Sequence, residues 1–149
     1  MIDDPAGVFT LHKDALRPAV FLAGGIGITP FLSMLRQATH VGPSYELYLF
    51  YSNRRPEDAA FLQELFGLQC RYPKFTLVPT MTQLGRSERK WKGETGYIGA
   101  ALIARYVGSV IGPIYYMAGP PSMIEGMRQK LLQRGVRRDD INADSFDGY

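Results

Sequence analysis

The chain is predicted to be α/β: an open parallel sheet with helices on both faces. Three observations predict it. Residues 20–36, VFLAGGIGITPFLSMLR, read as strand, glycine turn and helix. Residues 113–131 repeat that order, and apolar strand-like runs alternate with helix-period segments between the two units. Strands alternating with helices imply parallel pairing through right-handed crossovers.

In chain order, an apolar strand over about 19–23 enters the glycines Gly24, Gly25 and Gly27. Thr29-Pro30 then opens a helix over about 30–38, with Phe31, Leu32, Leu35 and Ala38 at helical spacing. The Thr29 hydroxyl is expected to cap it, and Pro30 suits a first helical position, where no N–H is needed. Gly42-Pro43 ends the helix, and YELYLFY (45–51) forms strand two. Pro56-Glu57-Asp58 is expected to start the next helix, acidic residues suiting its positive end, with Phe61, Leu62, Leu65 and Phe66 as the buried face. Lys74 to Pro79 reads as strand three, and the polar, charged stretch 81–96 as a loop. A short helix over 99–106, strand four over 113–118 and a helix over 121–134 follow. The double proline can start that last helix but not lie inside it. Its Met123, Met127 and Leu131, with Ile124 alongside, read as core. Gly135 ends it, and Ile141 to Ala143 make a short last strand. No repeat or low-complexity stretch interrupts the pattern.

The two glycine turns carry the chemistry. A strand that turns through glycines into a helix presents unpaired backbone N–H groups, which attract phosphate. Glycine also admits a close anion and a positive φ. The first turn lacks the Lys-Ser/Thr ending of a nucleoside-triphosphate loop. Its Gly25-Ile26-Gly27 spacing suits a dinucleotide, although Pro30 stands where a third glycine is usual. Packing alone is the competing explanation. The second turn, Gly119-Pro120-Pro121, would flank the same crevice at the carboxyl ends of parallel strands.

The segments GGIGITPFLSML, AGPPSMIEGMRQKLLQRGV and the ending DSFDGY resemble the pyridine-nucleotide domain of the ferredoxin–NADP reductase superfamily, over about residues 17–149. The resemblance implies a three-layer Rossmann-like domain whose open parallel sheet has five strands in the order 3-2-1-4-5. In that family a flavin-binding barrel comes first, and hydride passes between NAD(P)H and the flavin. DDPAGVFTL (3–11) is similar to the barrel's last strand, Gly7 and Phe9 matching its pattern. Residues 1–16 are therefore expected to be a barrel remnant and linker, and 17–149 the NAD(P)-binding domain. The barrel's arginine-aromatic-serine motif is not in the sequence. The chain is accordingly expected to be a piece of a larger reductase, or a subunit that meets a flavin protein in trans, with FAD or FMN in the complete enzyme.

Site roles follow from the resemblance. Gly24, Gly25, Ile26, Gly27, Thr29 and Pro30 are expected at the pyrophosphate and nicotinamide ribose. Ala118, Gly119 and Pro120 are expected to line the nicotinamide pocket, with Ala118 where many members have a cysteine, and Met123 is expected among the cofactor-binding residues. Phe146 is the candidate for stacking on the flavin, and Tyr149 is its rival. Hydride chemistry belongs to the cofactors, so no general acid or base is assigned. Around the adenosine, Ser52, Asn53, Arg54 and Arg55 follow strand two, with no acidic residue for the ribose hydroxyls of NAD. Basic side chains there suit a 2′-phosphate. NADP-specific members carry Ser-Arg after strand three, where this chain has Thr82-Gln83, with Arg86, Arg89 and Lys90 further on. The missing arginine points to NADH and the loop cations to NADPH; the balance is set at NADH. A nucleotide-sensing or partner-binding module on the same fold remains the alternative. So does an electron-transfer subunit, though its usual cluster cysteines are missing.

Composition bounds the rest. The 149 residues suffice for one core, and 46% hydrophobic with 21% charged is ordinary for a globular domain. A net charge of +3, with cations and acids interspersed, assigns no nucleic-acid role but leaves room for a basic patch facing an acidic redox partner. No apolar run would span a membrane, and MIDDPAG is unlike a signal peptide. Cys70, the single cysteine, excludes an internal disulfide, is expected near a helix end as a small apolar residue, and points to a reducing, cytoplasmic setting. His12 and His40 have no partner at metal-ligand spacing, so no metal is assigned. Asp139, Asp140 and Asp144 are not assigned paired-carboxylate catalysis, nor Ser33 and Ser122 a nucleophile's role. Trp91, in the loop over 81–96, is expected to pack over the adenine side or to close the domain.

Overall fold

Strand β1, Ala19–Gly24, is buried along its whole length, as a run of AVFLAG must be when both faces of a parallel strand are covered. The structure, a computed structural model, describes residues 10–40 and 45–145. Its elements are β1, α1 (Thr29–His40), β2 (Leu47–Asn53), α2 (Leu62–Arg71), β3 (Phe75–Met81), β4 (Glu94–Thr95), α3 (Ala100–Val107), β5 (Ile114–Gly119), α4 (Pro121–Gln133) and β6 (Ile141–Ser145). The strands form one sheet of order β4-β3-β2-β1-β5-β6, every pair parallel.

Five of these strands take the expected order, and the sixth is a correction. Residues 94 and 95, expected in a loop, pair with the outer edge of β3, Thr80 opposite Glu94 and Met81 opposite Thr95. Two residues among glycines and charges carry no periodicity, so this strand is set by tertiary contacts and not by pattern.

Alternating side chains feed two cores. Phe21, Leu49, Tyr51 and Tyr116 pack with Phe31 and Leu35 of α1 and Leu65 of α2. Val20, Leu22, Phe50 and Met117 pack on the other face with Ile103 of α3 and Ile124, Met127 and Leu131 of α4. The methionine stripe is core from Met127 onward, while Met123 is only half-buried.

The start and face of α2 are also corrected. Pro56–Asp58 forms a separate 3-10 turn, and the chain resets at Phe61, whose φ of 66° lies in the left-handed region. The Tyr51 hydroxyl donates to the Ala60 carbonyl at 2.9 Å, taking an acceptor that a continuous helix would need. The reset rotates the buried face to Leu65 and Leu68, leaving Phe61 and Phe66 exposed. Cys70 lies exposed near the end of α2, so it fills no core space.

The amino edge of the sheet is cross-tied. Arg17 Nη2 and Nη1 meet Asp140 Oδ2 and Oδ1 at 3.0 and 3.3 Å, and Arg17 Nε donates to the Gly112 carbonyl at 2.7 Å. These bonds join the entries to β1, β5 and β6. His12 is held too: its N–H donates to the Tyr116 hydroxyl at 2.7 Å, and its Nε2 lies 2.8 Å from the Arg17 carbonyl.

Candidate dinucleotide site

Ala23 of β1 stands opposite Ala118 of β5, so Gly24 and Gly119 leave the carboxyl edge of the sheet side by side. Residues Gly25–Ile28 form a 3-10 turn that runs straight into α1. The two turns interlock. A Cβ on Gly27 would overlap the Ala118 carbonyl and come within 3.0 Å of the Gly119 nitrogen. One on Gly119 would lie 3.3 Å from the Gly24 nitrogen and 3.0 Å from the Met123 sulfur. One on Gly24 would run into that sulfur and lie 3.3 Å from Pro120 Cδ.

Packing therefore accounts for Gly24, Gly27 and Gly119 but not for Gly25. A Cβ there would meet nothing within 4 Å, yet its φ is +57°. Gly25 serves the turn's backbone, which starts the helical N–H groups of residues 25–28 at the crevice. Thr29 does not cap α1 as expected: it is itself helical, and its hydroxyl donates to the Ile26 carbonyl at 3.1 Å. The exposed Ile26 side chain stands outward from the turn. Pro120 is the N-cap of α4 and Pro121 its first residue, so two amides are missing at that helix start. The first turn thus keeps its backbone amides, whereas the second lacks two of them. Ala118 is fully buried on the α1 side of the core, and its carbonyl faces Gly27 of the turn.

Beyond the turns, Ser52 and Asn53 end β2. Asn53 is buried, and its Nδ2 meets no acceptor at good geometry among the described residues. The two arginines that follow differ. Arg55 Nε and Nη2 grip Asp58 Oδ2 and Oδ1, both at 3.0 Å, and this pairing lowers the Asp58 pKa. Arg54 is exposed and forms no ion pair among the described residues. The Thr82 and Gln83 amides donate to the Asn53 and Arg54 carbonyls at 2.9 and 2.8 Å, tying the exit of β3 to that of β2. Past them, the Ser87 hydroxyl donates to Glu57 at 2.7 Å, the leading reason that carboxyl sits below its ordinary pKa. Trp91 closes the loop, its Nε1 donating to the Glu94 carbonyl at 2.8 Å with Gly93 against its ring. Arg86, Arg89 and Lys90 are exposed.

One residue was not singled out by sequence reasoning. Tyr97 is 80% exposed and stands at a cavity of about 240 Å³ lined also by Ser52, Ile98, Ser122, Met123 and Lys130. Its only signal was an aromatic residue beside a glycine in a polar stretch. A second cavity, about 210 Å³, surrounds the Arg17–Asp140 pair at the opposite edge of the sheet. Phe146 and Tyr149, like Gly7 and Phe9, lie outside the described residues. Among the described residues, no three His, Cys, Asp or Glu side chains gather as metal ligands. No helix there is long and apolar enough to cross a membrane.

An open parallel α/β sheet whose ligand crevice lies at the carboxyl ends of its central strands defines the dinucleotide-fold class. Residues 21–129 match the family model described as the oxidoreductase NAD-binding domain, and the chain belongs to that family. It is the NAD(P)H-binding domain of ferredoxin-reductase-like enzymes, as the sequence resemblance implied. The phenol hydroxylase P5 protein of Acinetobacter pittii is 32% identical over 148 residues, covering 97% of this chain and 41% of that protein. One component of the Na(+)-translocating NADH-quinone reductase of Methylococcus capsulatus is 32% identical over 155 residues, covering 99% and 37%. A solved ferredoxin reductase in carbazole 1,9a-dioxygenase superposes with a TM-score of 0.73 at 27% identity, covering 91% of this chain and 39% of that one. The chain thus spans about two fifths of the length of these relatives.

Proposed function

We propose that this domain binds NADH across the two glycine turns and presents its nicotinamide to a flavin, FAD or FMN. That flavin sits on a barrel domain preceding residue 17, for which residues 1–16 would be the last strand and linker, or on a separate protein. The observation that carries this reading is the interlock of Gly24, Gly27 and Gly119, which brings both turns to one crevice. In this reading the amides of Gly25, Ile26 and Gly27, at the positive end of α1, receive the pyrophosphate. Gly119 and Pro120 wall the nicotinamide, Thr29 and Pro30 border its ribose, and Met123 stands between the glycine turns and the cavity beside Tyr97. Ser52, Asn53 and the cavity beside Tyr97 take the adenosine, whose base stacks on the exposed ring. The flavin supplies the hydride acceptor; the residues here supply only position. Phe146, or else Tyr149, would cover the flavin ring until nicotinamide displaces it.

Three observations support NADH over NADPH. Arg55 is already gripped by Asp58. The Thr82 and Gln83 amides are spent on β2. One relative at 32% identity is named for NADH. Oxygenase-linked relatives suggest that the electrons go on to an oxygenase system. A single cysteine fits a reducing, cytoplasmic setting.

Calorimetric titration with each coenzyme, followed by rapid mixing with a flavin-loaded barrel domain of the family, tests the proposal. NADH should bind more tightly than NADPH and bleach the flavin absorbance only when this chain is present. Tight binding with no flavin reduction by any partner would instead indicate a nucleotide sensor.

A further inference from the structure

Residues 94–98 form a strap that carries the Tyr97 ring, and its backbone pairing is short. β4 has two residues, too few to hold a strand in place by ladder bonds alone. Gly96, at φ +93°, turns the chain away after donating to the Met81 carbonyl at 2.9 Å. The buried Thr80 hydroxyl donates to the Gly96 carbonyl at 2.8 Å. Ile98, one residue past the ring, is sunk in the α3–α4 core.

Glu94 is anchored at two points, its carbonyl by the Trp91 Nε1 bond and its side chain by α3. Its carboxylate accepts from Arg105 Nη2 and from the Tyr106 hydroxyl, both at 2.6 Å. The Tyr106 bond is the leading reason the Glu94 pKa is lowered. Arg105 lies over the Tyr106 ring at 5.4 Å, and Tyr106 meets the buried Phe50 of β2 edge-on at 6.1 Å. A chain of contacts thus runs from the sheet through α3 to the strap. The Arg105 side chain is 60% exposed, and an ion pair so open to water adds little stability. What these bonds determine is where the strap lies.

We infer that Glu94 is a positioning residue for dinucleotide binding: through Tyr106 and Arg105 it holds the strap so that the Tyr97 ring stands at the adenosine cavity. The inference rests on reading the crevice as the NADH site. It separates the two halves of the ligand, since the strap touches the adenosine side and the glycine turns serve the nicotinamide side.

The test titrates the chain with NADH, with AMP and with reduced nicotinamide mononucleotide. Tyr97→Ala should weaken NADH and AMP about tenfold, the scale of base stacking on an aromatic ring, and leave the mononucleotide unchanged. Glu94→Ala should weaken the same two ligands about threefold, and add nothing when Tyr97 is already alanine, because the two act as one unit. Tyr106→Phe removes one of the two partners of the Glu94 carboxylate without a change of charge and should reproduce part of the loss; it carries the test should Glu94→Ala fail to fold. Equal weakening of all three ligands, or additive losses in the double variant, would overturn the role of Glu94. If the unsubstituted chain bound neither NADH nor AMP, the reading of the crevice would fall first, and the inference with it.

Discussion

Gly25 and Gly27 stand two positions apart and respond differently to a methyl group. At Gly27 the Cβ would overlap the Ala118 carbonyl, so Gly27→Ala must push β5's turn away from the α1 start. Overpacking of this kind costs about 1–3 kcal/mol, and NADH affinity should fall at least about tenfold as the two turns separate. Gly25→Ala meets no neighbour and strains only the backbone at φ +57°, costing about 1 kcal/mol with the interlock intact. Thermal melts and calorimetry on the two variants distinguish them. In sequence both are simply glycines before a helix, and which one packs becomes visible only when β5 is set beside β1. The same holds for Arg54 and Arg55, identical until Asp58 takes one of them. Tyr97 is not legible in the sequence, because an exposed ring in a polar stretch belongs to no periodic face.

At the scale of elements, the long apolar strands and the periodic helices α1 and α4 were legible because burial on a defined face dictates their residues. β4 and the start of α2 were not, since hydrogen bonds to side chains outside the segment set them. The tie between Arg17 and Asp140 is of that kind, joining residues 123 positions apart. Its Arg17 hydrogen bonds are the leading cause that holds the Asp140 carboxyl below the ordinary carboxylate range; burial opposes them, and Arg137 adds to them. A lowered folded pKa means the contribution is complete above the unfolded value near 4 and is lost as pH falls through the lower folded value. Asp140→Asn should therefore destabilise by about 1–3 kcal/mol at neutral pH, and by less in acid, in denaturant melts run across pH. On the alkaline side, burial pushes the Tyr116 hydroxyl up to about 12. The raised value keeps its neutral form favourable, so this contribution persists up to the unfolded value near 10 and is lost as pH rises through 12. Ultraviolet absorbance titration should show part of the tyrosinate signal, from the buried Tyr115 and Tyr116, appearing only as the fold opens, and Tyr116→Phe should reduce that part.

For the whole molecule, parallel order and handed crossovers do the positioning. Pairing β1 with β5 is what brings two glycine turns 95 residues apart, Gly24 and Gly119, to one crevice. Their sequence order alone could not dictate that neighbour relation; the family resemblance implied it, and the strand pairing has it. The polar cross-ties around Arg17 sit at the opposite edge and take no part in the crevice at the carboxyl edge. The central claim is therefore spatial, and amide chemical-shift mapping of the labelled chain during NADH titration tests it most directly. Saturable shifts should appear together at Gly25, Ile26, Gly27 and Gly119, reach Ser52 and Tyr97, and leave Gly112 and Asp140 still. Shifts confined to one turn, or concentrated around Arg17 and Asp140, would contradict it.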